Sequence, residues 1–217
     1  MVRYGDVVGD LRRAYDGGAE RRDSLAMPPW KLAERRTFLD RVRVEGGRRL
    51  LEVGAGTGHD AAFFAAEGLE VVATDLSPAM VELCRAKGID ARVMDVLGLK
   101  FPRASFDAIY TVNCLLHVPD ADLPAALADL SGLLRPVGLM YLGVWGGQNR
   151  EGTLENDDHE PKRFFAFRTD EHLQAYVSRD FSIVDFHTVT SEGGERFQSL
   201  TLRPRASAVD GEHLVSV

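Results

Sequence analysis

The chain has 217 residues, 45% of them hydrophobic and 27% charged, an ordinary globular balance at the size of one domain with at most a small cap. Acidic side chains number 33 against 26 basic, a net charge of −7, so the basic excess that neutralises phosphates is missing and a nucleic-acid partner is not expected. The two cysteines lack metal-ligand spacing, no run is long enough to span a bilayer and no leader-like apolar run opens the chain, so the expected location is the cytoplasm.

Residues 1–47 read as a helical cap. Pro28 and Pro29 suit a helix start, Leu32, Leu39 and Val42 recur at helical spacing, and Gly46-Gly47 breaks the pattern. A second unit, 48–204, alternates strands and helices. Residues 49–53 form a short strand that runs into Gly54-Ala55-Gly56-Thr57-Gly58, and an alanine-rich helix follows up to Gly68. Residues 69–74 are a second strand ended by Asp75. Ser77 and Pro78 cap the next helix, and residues 89–94 form a third strand before Asp95. A fourth strand spans 106–112. Leu123, Leu127, Leu130 and Leu134 line one helix face, and 139–145 is a fifth strand. Residues 146–167 read as a long connection without strand alternation. A helix at 169–178, strands at 181–189 and 196–203, and a disordered tail at 205–217 complete the expectation.

This order predicts an α/β fold: a doubly wound, mostly parallel seven-stranded sheet with helices on both faces and an N-terminal helical cap. Right-handed crossovers bring the carboxyl ends of parallel strands to one edge, where ligands bind. Gly54, Asp75, Asp95 and Asn113 follow strand ends and so share that rim. The glycine turn lets a ligand approach backbone, yet its Gly-x-Gly-x-Gly spacing departs from the dinucleotide pattern. Asp75 is placed to accept both hydroxyl protons of an adenosine ribose, or simply to cap a helix beside Ser77. Asp95 is placed to accept from an exocyclic amine, or is an ordinary loop aspartate.

Residues 51–58 (LEVGAGTG), 72–77 (VATDLS), 94–96 (MDV) and 106–110 (FDAIY) together resemble the successive motifs of class I S-adenosylmethionine-dependent methyltransferases. The helix end Leu133-Leu134-Arg135-Pro136 before Gly138 is similar as well, so the resemblance covers about residues 48–145. It implies S-adenosyl-L-methionine as cofactor. Glu52, Gly54, Ala55 and Gly56 would surround the methionine portion, Asp75 would hold the ribose, and Leu76 would pack on the adenine. Asp95 and the Val96 backbone would read the adenine edge, and Asn113 would lie near the sulfonium. An N-terminal tyrosine closes over the cofactor in similar enzymes, which makes Tyr15 a candidate beside a plain core role.

Methyl transfer asks the protein chiefly to align acceptor, methyl and sulfur and to exclude water. A base is needed only for a hydroxyl or a protonated amine. His117, after the fourth strand, and His159, in the acidic stretch Asp157-Asp158-His159-Glu160, are the catalytic candidates; each is otherwise a positional histidine. That stretch also raises a divalent ion, but no distant ligand supports one and no metal is expected. Trp145, Phe164, Phe165 and Phe167, with Trp30, either anchor the long connection or wall an apolar acceptor pocket. The expected function is methylation of an oxygen or nitrogen of a small-molecule metabolite by a monomer or homodimer. A nicotinamide-dependent oxidoreductase and a non-catalytic S-adenosylmethionine-binding protein are the alternatives.

Overall fold

The computed structural model describes residues 1–205, so all but the first residue of the expected tail lies outside the described residues. Two helices, α1 (Tyr4–Asp23) and α2 (Pro29–Val44), come first. Phe38, Leu39 and Val42 fall on the buried face of α2. Leu32, expected on the same stripe, is 41% exposed, because the first turn of α2 reaches out toward Trp145 instead of lying on the sheet.

The alternating region follows as β1 (Arg49–Val53), α3 (His59–Ala66), β2 (Glu70–Asp75), α4 (Pro78–Ala86), β3 (Asp90–Val93) and β4 (Phe106–Val112). A short 3-10 turn over Leu115–His117 leads to α5 (Leu123–Leu133), and β5 (Leu134–Gly146) comes next. Ser77 caps α4 by accepting the Met80 N–H at 3.1 Å, with Pro78 supplying a preset first helical residue.

The long connection after β5 is not free of strands. It contains β6 (Arg150–Thr153) and β7 (Phe164–Phe167), paired antiparallel as a separate two-stranded sheet. β6 offers no apolar residue and β7 is a wholly apolar run of four, so neither carries the alternation by which a strand is read. After α6 (Asp170–Val177), the strands β8 (Phe181–Thr190) and β9 (Arg196–Pro204) close the chain.

The main sheet has seven strands in the order β3-β2-β1-β4-β5-β9-β8. β1 to β5 pair in parallel, and β9 and β8 join antiparallel. Strand order reverses between β1 and β4, and a crevice opens at their carboxyl ends. Strand alternation divides the core into two layers. Leu50, Ala108, Tyr110 and Tyr141 face α2 and α3, whereas Leu51, Ile109, Met140 and Leu142 face α5 and α6. No helix among the described residues is long and apolar enough to cross a membrane.

Phe38 pins α2 to this scaffold, lying 1% exposed against the rings of Phe64, Tyr110 and Tyr141 at centroid distances of 6.4, 5.7 and 5.6 Å. Phe38→Ala is therefore expected to lower unfolding free energy by about 3–5 kcal/mol, read from urea denaturation. A loss below about 1 kcal/mol would show that the cavity collapses or that this cluster does not hold α2.

Candidate functional site

The glycine turn after β1 is shaped by backbone first. The Gly54 and Ala55 amides both donate to the Thr74 carbonyl, at 2.9 and 3.0 Å, which folds the chain tightly across the tip of β2. Gly54 has φ +72°, and a Cβ there would sit 2.5 Å from the Cβ and 2.7 Å from the Sγ of Cys114, so only glycine fits without displacement. Gly56, at φ +55°, points its amide at Asp75.

Asp75, at the end of β2, accepts that Gly56 N–H on Oδ2 at 2.8 Å and the Ser77 N–H on Oδ1 at 2.9 Å. Both oxygens keep free lone pairs, and the residue lines a cavity with Gly54, Gly56, Leu76, Val96 and Asn113. Burial pushes its carboxyl up to about 6, against the pull of the two amides. Glu52 lies deeper, 4% exposed, with Oε2 lacking any partner among the described residues. Burial, then the Asp60 and Asp75 charges, hold its carboxyl well above the usual carboxylate range.

Helix α1 roofs this cavity. Arg12 donates to the Leu76 carbonyl at 3.2 Å, Asp16 accepts from the Ser77 hydroxyl and the Ala79 amide, and Asp23 pairs with Lys87 at 2.6 Å. Tyr15 and Arg22 reach from α1 to the cavity wall. The Tyr15 hydroxyl lies 2.5 Å from His117 Nε2, and His117 Nδ1 lies 2.6 Å from the Phe164 carbonyl oxygen. A carbonyl only accepts, so Nδ1 carries the proton, Nε2 is the acceptor and Tyr15 donates to it. Burial pulls His117 down to about 4, against the Phe164 carbonyl and with help from the Arg163 and Arg22 charges, so it is neutral at pH 7.

A larger groove of about 1180 Å³ opens beside the cavity. Trp30, Trp145, Phe165 and Phe167 wall it, the two tryptophans at 5.7 Å and the two phenylalanines stacked at 5.5 Å. Asn113 joins the two spaces: at φ +53° it lines the cavity while its Oδ1 accepts the Trp145 N–H at 3.3 Å.

Most residues singled out from sequence thus converge. Gly54, Gly56, Asp75, Leu76, Val96, Asn113, Tyr15 and His117 line the cavity, and Glu52, Ala55 and the glycines line its extension toward Lys31. Asp95 stands just behind the wall, accepting the Leu97 N–H at 2.8 Å, with the Tyr4 hydroxyl nearby. His159 lines neither space. Its ring packs on Tyr15 at 5.8 Å and its Nδ1 meets Asp158 at 2.8 Å, so the imidazole turns onto α1 while Asp157 and Asp158 beside it line the groove. Asp157, Asp158 and His159 could converge on an ion, but Arg163 and Arg21 already pair with the two aspartates, at 2.6 Å each. Of the aromatic set, Phe164 is buried and serves through its carbonyl. Sequence reading missed Arg22 and Lys31, which sit on helices at ordinary surface spacing and reach the site only through the packing of α1 and α2.

Residues 50–138 match a family described as "Methyltransferase domain". The chain is 34% identical over 149 residues to a malonyl-[acyl-carrier protein] O-methyltransferase of Halorhodospira halophila, covering 63% of this chain and 48% of that protein. It is 31% identical over 150 residues to a demethylmenaquinone methyltransferase of Tropheryma whipplei, covering 65% and 62%. The chain therefore spans between about half and three-fifths of the length of these curated relatives. In fold it is similar to the crystal structure of Burkholderia thailandensis 1,6-didemethyltoxoflavin-N1-methyltransferase with bound 1,6-didemethyltoxoflavin and S-adenosylhomocysteine, with a TM-score of 0.73, 23% identity and coverage of 95% and 92%.

The Gly54 turn yields a direct test. Gly54→Ala combines a left-handed backbone with a clash against Cys114, and it is expected to destabilise the fold by about 2–5 kcal/mol. Urea denaturation reads this; a change within 0.5 kcal/mol either way, about what a surface substitution gives, would mean that the turn relaxes freely.

Proposed function

We propose that this chain, which carries a class I S-adenosylmethionine-dependent methyltransferase domain, binds that cofactor in the strand-end cavity and methylates an oxygen or nitrogen of a small molecule held in the adjoining groove. One observation carries the reading: a buried carboxylate at the tip of β2, both oxygens still able to accept, set against a bare glycine turn. The residues fit the group. Asp75 would take the ribose hydroxyls, and Leu76 and Val96 would flank the adenine. The unpartnered Glu52 oxygen and the Arg22 guanidinium, 3.5 Å from the Cβ position of Gly56, would meet the amino and carboxylate ends of the methionine.

When bound, S-adenosylmethionine supplies a methyl carbon on a positively charged sulfur. What the chain contributes is alignment and exclusion of water. Tyr15 and Arg22 reach the cavity wall from α1, so this helix would cover a bound nucleoside and keep water from it. Tyr15 is held in that position by His117 and by Arg163, whose Nη1 lies 3.4 Å from its hydroxyl. His117 makes a poor base here. Its one lone pair already accepts from Tyr15, and with a pKa of about 4 loading it at pH 7 costs about 4 kcal/mol. We therefore assign His117 the positioning of Tyr15 and leave His159 outside the reacting groups. A cytoplasmic location belongs to this proposal and is supported by two cysteines that form no disulfide.

Incubation with methyl-labelled S-adenosylmethionine and a panel of phenols, aryl carboxylates and amines tests the reading. Label is expected on an oxygen or nitrogen of a small molecule; thermal stabilisation by NAD and not by S-adenosylhomocysteine would instead indicate an oxidoreductase. Calorimetry should show Asp75→Ala weakening S-adenosylhomocysteine binding about ten-fold or more, since hydrogen bonds to a charged group contribute roughly 1.5–3 kcal/mol. Unchanged affinity would move the ribose elsewhere.

The pH dependence has a defined sign. Ribose hydroxyls donate to the ionised carboxyl, so affinity is expected to be flat above about pH 7 and to fall as Asp75 protonates near 6. Folding responds oppositely through this group. A carboxyl raised from 3.8 to about 6 contributes stability that is full below 3.8 and is lost as pH rises through about 6. Affinity that stays level from pH 7.5 to 5, read by calorimetry, would remove Asp75 from the contact.

A further inference from the structure

Lys31, in the first turn of α2, has no carboxylate partner among the described residues. Its Nζ lies 5.3 Å from the Trp30 ring and 5.8 Å from the Trp145 ring, and it borders both the groove and the cavity extension. The other cations of the groove are neutralised: Arg163 by Asp157 at 2.6 Å and Arg196 by Asp170. Asp60, the acid whose charge reaches Lys31, is taken by Arg35 at 2.8 Å. Burial, then the Arg22 charge, pull the Lys31 ammonium down from its ordinary value. A half-buried cation held between aromatic faces without a counter-ion is a binding group for an anion.

The groove carries acids as well: Asp158 pairs with Arg21 at 2.6 Å, and Glu192 and Glu195, the latter accepting from the Ser191 hydroxyl, stand on the turn between β8 and β9. The walls are flat rings, which favour a planar ligand. The neutral, occupied His117 adds an independent reason, since a site without a base suits an acceptor that arrives already ionised.

We propose that the groove recognises a planar aromatic acid, a phenolate or aryl carboxylate, with its ring against Trp30 and Trp145 and its anionic oxygen on Lys31 Nζ. This names the substrate class and rests on the methyl-donor reading above. Arg22, nearer Gly56, then serves the cofactor carboxylate and Lys31 the acceptor.

The chain has only two tryptophans, Trp30 and Trp145, and both line the groove, so absorption-corrected tryptophan emission reports on this space alone. Two nearly isosteric planar probes, 4-nitrobenzoate and 4-nitrobenzamide, differ in charge. In the presence of S-adenosylhomocysteine the carboxylate is expected to bind about ten-fold more tightly than the amide, the yield of one half-buried ion pair. Lys31→Met keeps the apolar stem and should abolish that preference while leaving amide binding unchanged. Lys31→Arg should restore most of it. Calorimetric affinity of Lys31→Met for S-adenosylhomocysteine should stay within about two-fold of the parent, well under the tenfold step of one ion pair.

The proposal is overturned if the parent protein binds both probes alike, if neither quenches up to its solubility limit, or if Lys31→Met retains the preference. A large loss of S-adenosylhomocysteine affinity in Lys31→Met would also overturn it, by assigning the lysine to the cofactor. A parent that fails to bind S-adenosylhomocysteine yet prefers the carboxylate probe, and loses that preference in Lys31→Met, keeps the anion site and sinks only the methyl-donor reading.

Discussion

Asp75 receives the Gly56 amide on one oxygen and the Ser77 amide on the other, so a single buried charge sets the glycine turn after β1 against the start of α4. Ser77 in turn donates to Asp16 of α1 and caps α4, which draws the roof helix into the same small network. Two amides are too few to keep a buried carboxylate comfortable, and its pKa of about 6 records the shortfall. A ligand that donates two hydroxyl protons supplies what is missing. The strain and the recognition thus share one cause.

The cavity and the groove divide the work by their walls. The cavity floor is built from strand tips, whose positions the sheet dictates to within the pairing register, and Tyr15 and Arg22 of α1 with His117 complete its wall. The groove is built from what surrounds those tips: the first turn of α2, the end of β5 at Trp145, and the small β6–β7 sheet that presents Phe165 and Phe167. Asn113 belongs to both, since its left-handed backbone turns the chain at the tip of β4 while its side chain holds the end of β5.

Histidine 117 illustrates how burial changes a residue's work. At its position after β4 it has the reach of a base, but a 6% exposed ring with one nitrogen on a carbonyl and the other on a tyrosine has no free lone pair and no easy way to charge. It orients Tyr15, 102 residues earlier, which packs between its ring and that of His159.

Local pattern determined a large part of this protein from sequence alone. Leu50 and Leu51 alternate into opposite core layers, Ser77-Pro78 starts a helix, and Gly54, Asp75, Val96 and Asn113 lie at strand tips because a parallel sheet leaves its special residues there. These features depend on spacing within a few residues, which a chain displays directly. Tertiary structure alone decided the pairing of β6 with β7, the seat of His159 on Tyr15 outside both spaces, the Tyr15–His117 bond, and the gathering of Arg22 and Lys31 at the site. All but the β6–β7 pairing arise from segments far apart in the chain, brought together by packing of the cap on the sheet, and no short-range spacing encodes which side chain of a surface helix will meet a strand tip across that gap.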